Sequence, residues 1–293
     1  MLIVTIILLI LFGVFLAKPK TDPGKTPLGE AIHVNDVILS DNISFFRALD
    51  KTKRKQFETE VTEFLADVKI TGVNTTVEDI DRILVAASAV IPVFAFPQWK
   101  YSNLQEVLLY PDTFNNDFKT AGEDRNIMGM VGSGYMEGKM LLSKHALQQG
   151  FKNDSDKNNT AIHEFVHLID KADGDTDGIP KLLLSKQYTL PWLDMTFQKM
   201  REILKERSDI NPYGTTNKAE FFAVVSEYFF ERPDLLQQKH PDLFQLLQEI
   251  FKQDPEVVVQ RLKAKTGRND DCYCGSGLKY KDCCWYKDQQ VTV

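Results

Sequence analysis

Beyond its first forty residues the chain alternates helical and extended rhythms of apolar positions. Phe45, Phe46, Leu49, Phe57, Val61, Phe64 and Leu65 recur among charged residues over 44–68, which predicts an amphipathic helix broken once. A second helix is expected from Val77 to about Val90, capped by Thr76 and limited by Pro92. Glu106–Tyr110 and Lys139–Ser143 read as short strands. Ala161, Ile162, Phe165, Val166, Leu168 and Ile169 make a densely apolar helix, with Asn158, Asn159 and Thr160 as candidate N-caps. Another aromatic-rich helical run follows Asn217. Pro233, Pro241 and Pro255 each stand near the start of a helical stretch, and Phe244, Leu247, Ile250 and Phe251 form one apolar stripe. The pattern is α+β and mainly helical, with a small sheet.

The N-terminus breaks this rhythm. Leu2 through Ala17 are mostly apolar, with neither a charge nor a proline. Such a run reads as a membrane span or a secretion signal. It lacks a basic residue before it, and Phe15 occupies the position a small residue takes before a cleavage site, so an uncleaved anchor over 1–18 is expected. Lys18, Lys20 and Lys25 follow, and the positive-inside rule keeps them cytoplasmic. The expected placement is a single pass through the inner membrane of a bacterium, with the body in the cytosol. Residues 19–43, rich in proline and glycine, read as a tether. At 293 residues the remainder is long enough for a sizeable core. A net charge of -6 gives no electrostatic case for binding DNA directly.

His163-Glu164-Phe165-Val166-His167 carries the chemistry. Two imidazoles at i and i+4 lie one turn apart on one helix face and can hold one metal. Glu164, turned aside from the pair, is placed to take a proton from a water activated by zinc. The alternative is a buried helix whose two histidines find other partners. Asp170, near the same face, is a candidate to orient a histidine, or else makes a surface salt bridge or a local turn bond. Asp173-Gly-Asp-Thr-Asp177-Gly178 begins like a calcium loop, but position twelve is Leu184 rather than Glu and Pro180 interrupts it, so it is expected to turn the chain. The strand Lys139–Ser143 is either an edge that pairs an extended substrate or an ordinary member of the sheet.

Two histidines and a water leave zinc one protein ligand short. Glu220 and Glu227 lie in the same apolar helical run, where a carboxylate needs a counter-charge. Glu220 also fits a capping box with Asn217, and Glu227 fits a solvated face. Residue chemistry alone favours Glu220 only slightly.

H-E-F-V-H-L-I-D, then A-D-G-D-T-D-G-I-P, then N-P-Y-G-T-T-N-K-A-E-F-F-A-V-V-S-E-Y-F-F-E-R-P resembles the Mlc titration factor A family of zinc metallopeptidases. The resemblance spans roughly residues 45–260 and implies a zincin-like core of gluzincin type. It implies that His163, His167 and Glu220 hold a catalytic zinc, that Glu164 is the base, and that Tyr213 assists the transition state. A phenol O–H aimed at a developing oxyanion suits that role.

All four cysteines lie between positions 272 and 284: Cys272, Cys274, Cys283 and Cys284. Thiolates so clustered suit a tetrahedral structural zinc better than disulfides. Gly267 through Cys284 resembles the SEC-C motif, best known at the C-terminus of the bacterial secretion ATPase. That resemblance implies a small zinc knuckle over 267–285 and a protein- or ribosome-facing contact. The expected organisation is anchor 1–18, tether 19–43, peptidase domain 44–262 and knuckle 267–285. The expected activity is zinc-dependent hydrolysis of a peptide or protein substrate in the cytosol. The alternative is a membrane-tethered protein-binding module that works through its tail without cutting.

Overall fold

The computed structural model describes residues 36–153, 156–273 and 277–290. The expected anchor and most of the tether lie outside the described residues. Among those described, no helix is long and apolar enough to cross a membrane.

The described residues begin with α1 (Asp36–Asn42), α2 (Ser44–Ala48) and α3 (Lys51–Asp67), so the amphipathic stretch is broken once, at 49–50. Asp50 caps α3 by accepting from the backbone N–H of Lys53 at 2.9 Å. After β1 (Lys69–Gly72) comes α4 (Asp79–Val93). Its cap is Glu78 rather than Thr76, because Glu78 and Asp81 form a reciprocal capping box. Pro92 lies inside the last turn, where its missing N–H costs the helix one bond just before Val93 ends it. Residues 83–93 of α4 are buried on every side, as a helix threaded through a core must be.

Next come β2 (Glu106–Tyr110), β3 (Gly129–Val131) and β4 (Lys139–Ser143), followed by α5 (Lys144–Lys152). The strand order is β1-β2-β4-β3, with β1, β2 and β4 parallel and β3 antiparallel to β4. Side chains alternate faces with period two. Val107, Leu109, Met140 and Leu142 enter the main core, while Leu108, Tyr110 and Leu141 meet Phe114 on the opposite face. The segment Lys139–Ser143 is therefore interior, flanked by β2 and β3, and does not form an edge. The edges are β1 and the three-residue β3, the latter too short to register as a strand in the sequence.

The helical half contains α6 (Thr160–Asp170), α7 (Thr189–Leu204), α8 (Lys218–Glu231), α9 (Pro233–Lys239), α10 (Pro241–Phe251), α11 (Pro255–Lys265) and α12 (Trp285–Gln290). Each of the three prolines opens its helix. α6 packs between α4 and α8. The segment 173–178 does turn the chain, with Gly174 at φ 102°. A Cβ on Gly178 would lie 2.4 Å from the carbonyl oxygen of Lys218, so only glycine lets this loop rest against the start of α8. Trp192 on α7 locks the loop by donating its indole N–H to the Gly178 carbonyl at 2.7 Å.

One carboxylate joins three parts of this half. Asp209 accepts from the Tyr228 hydroxyl at 2.8 Å, His240 Nε2 at 3.0 Å, Lys239 at 3.1 Å and Lys157 at 3.3 Å. Burial opposes its ionisation, yet these donors hold it well below the usual carboxylate range. A depressed acid stabilises the fold above its unfolded pKa; that contribution begins to shrink as pH falls below about 4 and is lost only as pH falls through the lower folded-state value. Asp209→Asn is expected to lose about 1–2 kcal/mol near pH 7, discounted because part of the network reaches solvent. Urea titrations at pH 7 and pH 3 should show the difference shrink in acid. An equal loss at both values would contradict the ionic network.

Candidate metal centre

The chain brings the two histidines together through one well-capped helix. Asn159, immediately before α6, accepts from the Ile162 N–H at 3.1 Å and fixes where the helix starts. His163 and His167 then meet edge to face one turn apart, with their Nε2 atoms separated by 3.1 Å. The third donor comes from α8. Asn217 caps that helix by accepting from the Glu220 N–H at 2.9 Å, which leaves the Glu220 carboxylate free to point away. Its Oε2 lies 3.0 Å from His163 Nε2 and 3.3 Å from His167 Nε2.

A tetrahedral ion with bonds of about 2.0–2.1 Å needs donor atoms about 3.3–3.4 Å apart, close to the spacing of this triangle. These atoms form one of the two groups in the described residues with ligand atoms within 4.8 Å of one another. The donor set also demands a cation. Glu227 Oε1 lies 2.7 Å from His163 Nδ1, which makes Nδ1 the protonated nitrogen and turns the Nε2 lone pair toward a carboxylate. In the metal-free groups a proton can relieve that clash. Burial lowers the His163 pKa, but its hydrogen bonds to Glu220 and Glu227 outweigh it and raise it to about 10. Glu220 is opposed by burial in the same way, yet the two imidazoles pull it down to about 2. A divalent ion would replace that proton.

Glu164 is buried beside the triangle. Burial pushes its carboxyl above the usual range, against the pull of His163 and His167. It faces β3 closely: a Cβ at Gly129 would lie 2.6 Å from Glu164 Cγ. Glycine thus lets the strand edge run directly past the candidate base. Tyr213 lies in the turn Pro212–Thr215, half exposed, with its ring centre 6.1 Å from that of His163. Burial, then Glu220 and Glu164, keep its phenol above the ordinary value, so it remains a donor.

These groups line one cleft of about 530 Å³ with Gly129–Ser133 along one wall. Met128 O and Gly132 N bond to Ser143 and Lys139 of β4. By antiparallel alternation, the backbone N–H and C=O groups of Gly129 and Val131 turn outward to the cleft. Lys171, just after α6, donates to the Gly132 carbonyl at 3.2 Å and to Glu137 at 2.8 Å, tying strand to helix.

Two alternatives that the sequence leaves open are decided here. Asp170 does not reach a histidine by hydrogen bonding; its Oδ2 accepts from the Gly178 N–H at 2.9 Å, a local turn bond. Glu227 is buried rather than solvated, and it takes the place behind His163. The only signal for it was a carboxylate seven residues after Glu220 in an otherwise apolar helix.

The second group that could hold a metal is Cys272, Cys283 and Cys284; Cys274 lies outside the described residues. The Cys272 N–H donates to the Leu278 carbonyl at 2.8 Å. Asp288 accepts from the hydroxyls of Tyr273 and Tyr280 at 3.0 and 2.8 Å and pairs with Lys263 at 3.1 Å, fastening this knuckle to α11.

Comparison with known proteins agrees with this layout. The family model of the glucose-regulated metallo-peptidase M90 matches residues 29–252, and that of the SEC-C motif matches residues 268–285. An uncharacterised protein of Synechocystis sp. is 30% identical over 231 residues, 75% of this chain and 84% of its own length. The Mlc titration factor A of Pectobacterium atrosepticum is 29% identical over 200 residues, 64% of this chain and 72% of its own. That of Escherichia coli is 30% identical over 184 residues, 59% and 67% respectively.

Proposed function

The chain belongs to the M90 family of glucose-regulated metallopeptidases and carries a C-terminal SEC-C motif, and from that premise we propose a zinc-dependent peptide hydrolase of gluzincin type. The observation that carries this reading is the convergence of His163, His167 and Glu220, from two helices, on one point beside Glu164. His163, His167 and Glu220 would hold the zinc. When bound, zinc acts as a Lewis acid, polarising the scissile carbonyl and making a water acidic near neutral pH.

The protein's own groups do the rest. An extended peptide pairs with the outer edge of β3, using the Gly129 and Val131 backbone, so that its carbonyl lies over the histidine pair. Glu164 takes the proton from the attacking water. It then returns that proton to the leaving amine as the C–N bond breaks. Tyr213 donates its O–H to the oxygen that gains negative charge.

The cysteine knuckle is assigned a second, structural zinc held by Cys272, Cys274, Cys283 and Cys284, folding a segment too short to build its own core. We assign it a protein- or ribosome-facing contact, which either delivers substrates to the cleft or, in the alternative reading, is the whole function. The SEC-C match favours keeping that alternative in view. The relatives' name speaks of titrating Mlc; here the tail and the apolar N-terminus argue for a different partner. Residues 1–18 are proposed as an anchor that keeps the cleft at the cytoplasmic face of the inner membrane, without DNA contact.

The test is hydrolysis of unstructured peptides by the full chain before and after metal removal. Chelation is expected to abolish cleavage, and one added equivalent of zinc per catalytic site should restore it. Cleavage that survives complete metal removal would rule out the assignment. Peptides with free and blocked N-termini, run side by side, separate aminopeptidase from endopeptidase action.

A further inference from the structure

The structure assigns Glu227 as the residue that sets which nitrogen of His163 faces the metal and holds that ring in place. This rests on the zinc reading above. His163 is held between two carboxylates of a single helix: Glu220 on its Nε2 side at 3.0 Å and Glu227 on its Nδ1 side at 2.7 Å. The two glutamates are seven residues apart on α8, two turns, so they share a face and close on the ring from either side. Glu227 makes a second bond, accepting from the Asn159 backbone N–H at 2.6 Å. Asn159 is the cap of α6. One carboxylate therefore grips both the N-cap of the motif helix and the first histidine on it.

A capping role alone does not account for this arrangement. The Asn159 N–H needs one acceptor, and Oε2 supplies it. Burying a full carboxylate, with Glu227 only 7% and His163 only 9% exposed, is unfavourable unless the second oxygen also has work. That oxygen is aimed at a ring nitrogen. With Nδ1 donating to Glu227, the lone pair stays on Nε2, toward Glu220 and His167, and the negative charge behind the ring strengthens Nε2 as a donor to a cation. His163 ligates as the Nδ1–H tautomer in consequence, and Glu227 is a positioning residue.

The experiment measures zinc affinity at the catalytic site of the full zinc-loaded chain by competition with a chromogenic chelator, for wild type, Glu227→Gln and Glu227→Met. Glutamine keeps one acceptor for two donors; methionine keeps none. Affinity is expected to fall about 10–100-fold in Glu227→Met and by less in Glu227→Gln. Histidine-selective 1H–15N spectra supply the signature a purely structural role would not move. In wild type the His163 signal, identified by its loss in His163→Ala, should show a protonated Nδ1 and a metal-bound Nε2. In Glu227→Met the slowly exchanging Nδ1 proton should disappear. Thermal melting of the metal-free variants separates misfolding from a weakened site. Wild-type zinc affinity in both variants, or a His163 bound through Nδ1, overturns the inference while leaving the peptidase reading intact. A wild-type chain with no zinc sensitive to His163→Ala overturns the peptidase reading itself, and this inference with it.

Discussion

Glu164→Gln is expected to lower peptide turnover by about 10²–10⁴-fold while the protein keeps its full metal content. The substitution preserves shape and removes only the capacity to take a proton. Glu164 is buried next to the two histidines but makes none of the three close contacts that define the metal triangle. Its carboxyl sits above the usual range chiefly through burial, which makes it a stronger base than an exposed glutamate. An amide there cannot shuttle a proton from water to amine. The check is kcat on a peptide substrate beside zinc content by mass spectrometry. A variant with wild-type kcat would remove Glu164 from the mechanism, and a variant that loses zinc would recast it as a ligand.

Tyr213→Phe carries the second large effect, a drop of about 10²–10³-fold in kcat with KM little changed. The side chain is half exposed and rests against His163 rather than in the core, so deleting its hydroxyl leaves packing intact. Its raised pKa keeps the proton on the phenol across the working range. The hydroxyl matters only when charge develops on the carbonyl oxygen, so the loss should fall on kcat. A variant altered in KM alone would assign Tyr213 to substrate binding.

Much of this was readable from residue order. H-E-x-x-H announces its own geometry, because i and i+4 on a helix are neighbours whatever else the fold does. The prolines at 233, 241 and 255 marked three helix starts, because their missing N–H is harmless only there. The choice between Glu220 and Glu227 was different in kind. Both lie in one apolar helix, and only the packing of α8 on α6 decides that Glu220 reaches the Nε2 atoms while Glu227 reaches Nδ1. The β3 edge beside Glu164 was hidden for a similar reason. β3 is three residues long and begins with the glycine that makes room for Glu164, so it has no periodicity to detect. Asp170 pointed elsewhere because the glycine-rich loop behind it folded back to offer a backbone N–H.

Zinc content per chain, compared between the wild type and Glu220→Ala, tests the convergence of the two helices on one ion most directly. Two equivalents are predicted for the full chain, one of them lost in Glu220→Ala and the other in Cys272→Ser. A Glu220→Ala chain that retains both, with affinity unchanged, would contradict the account.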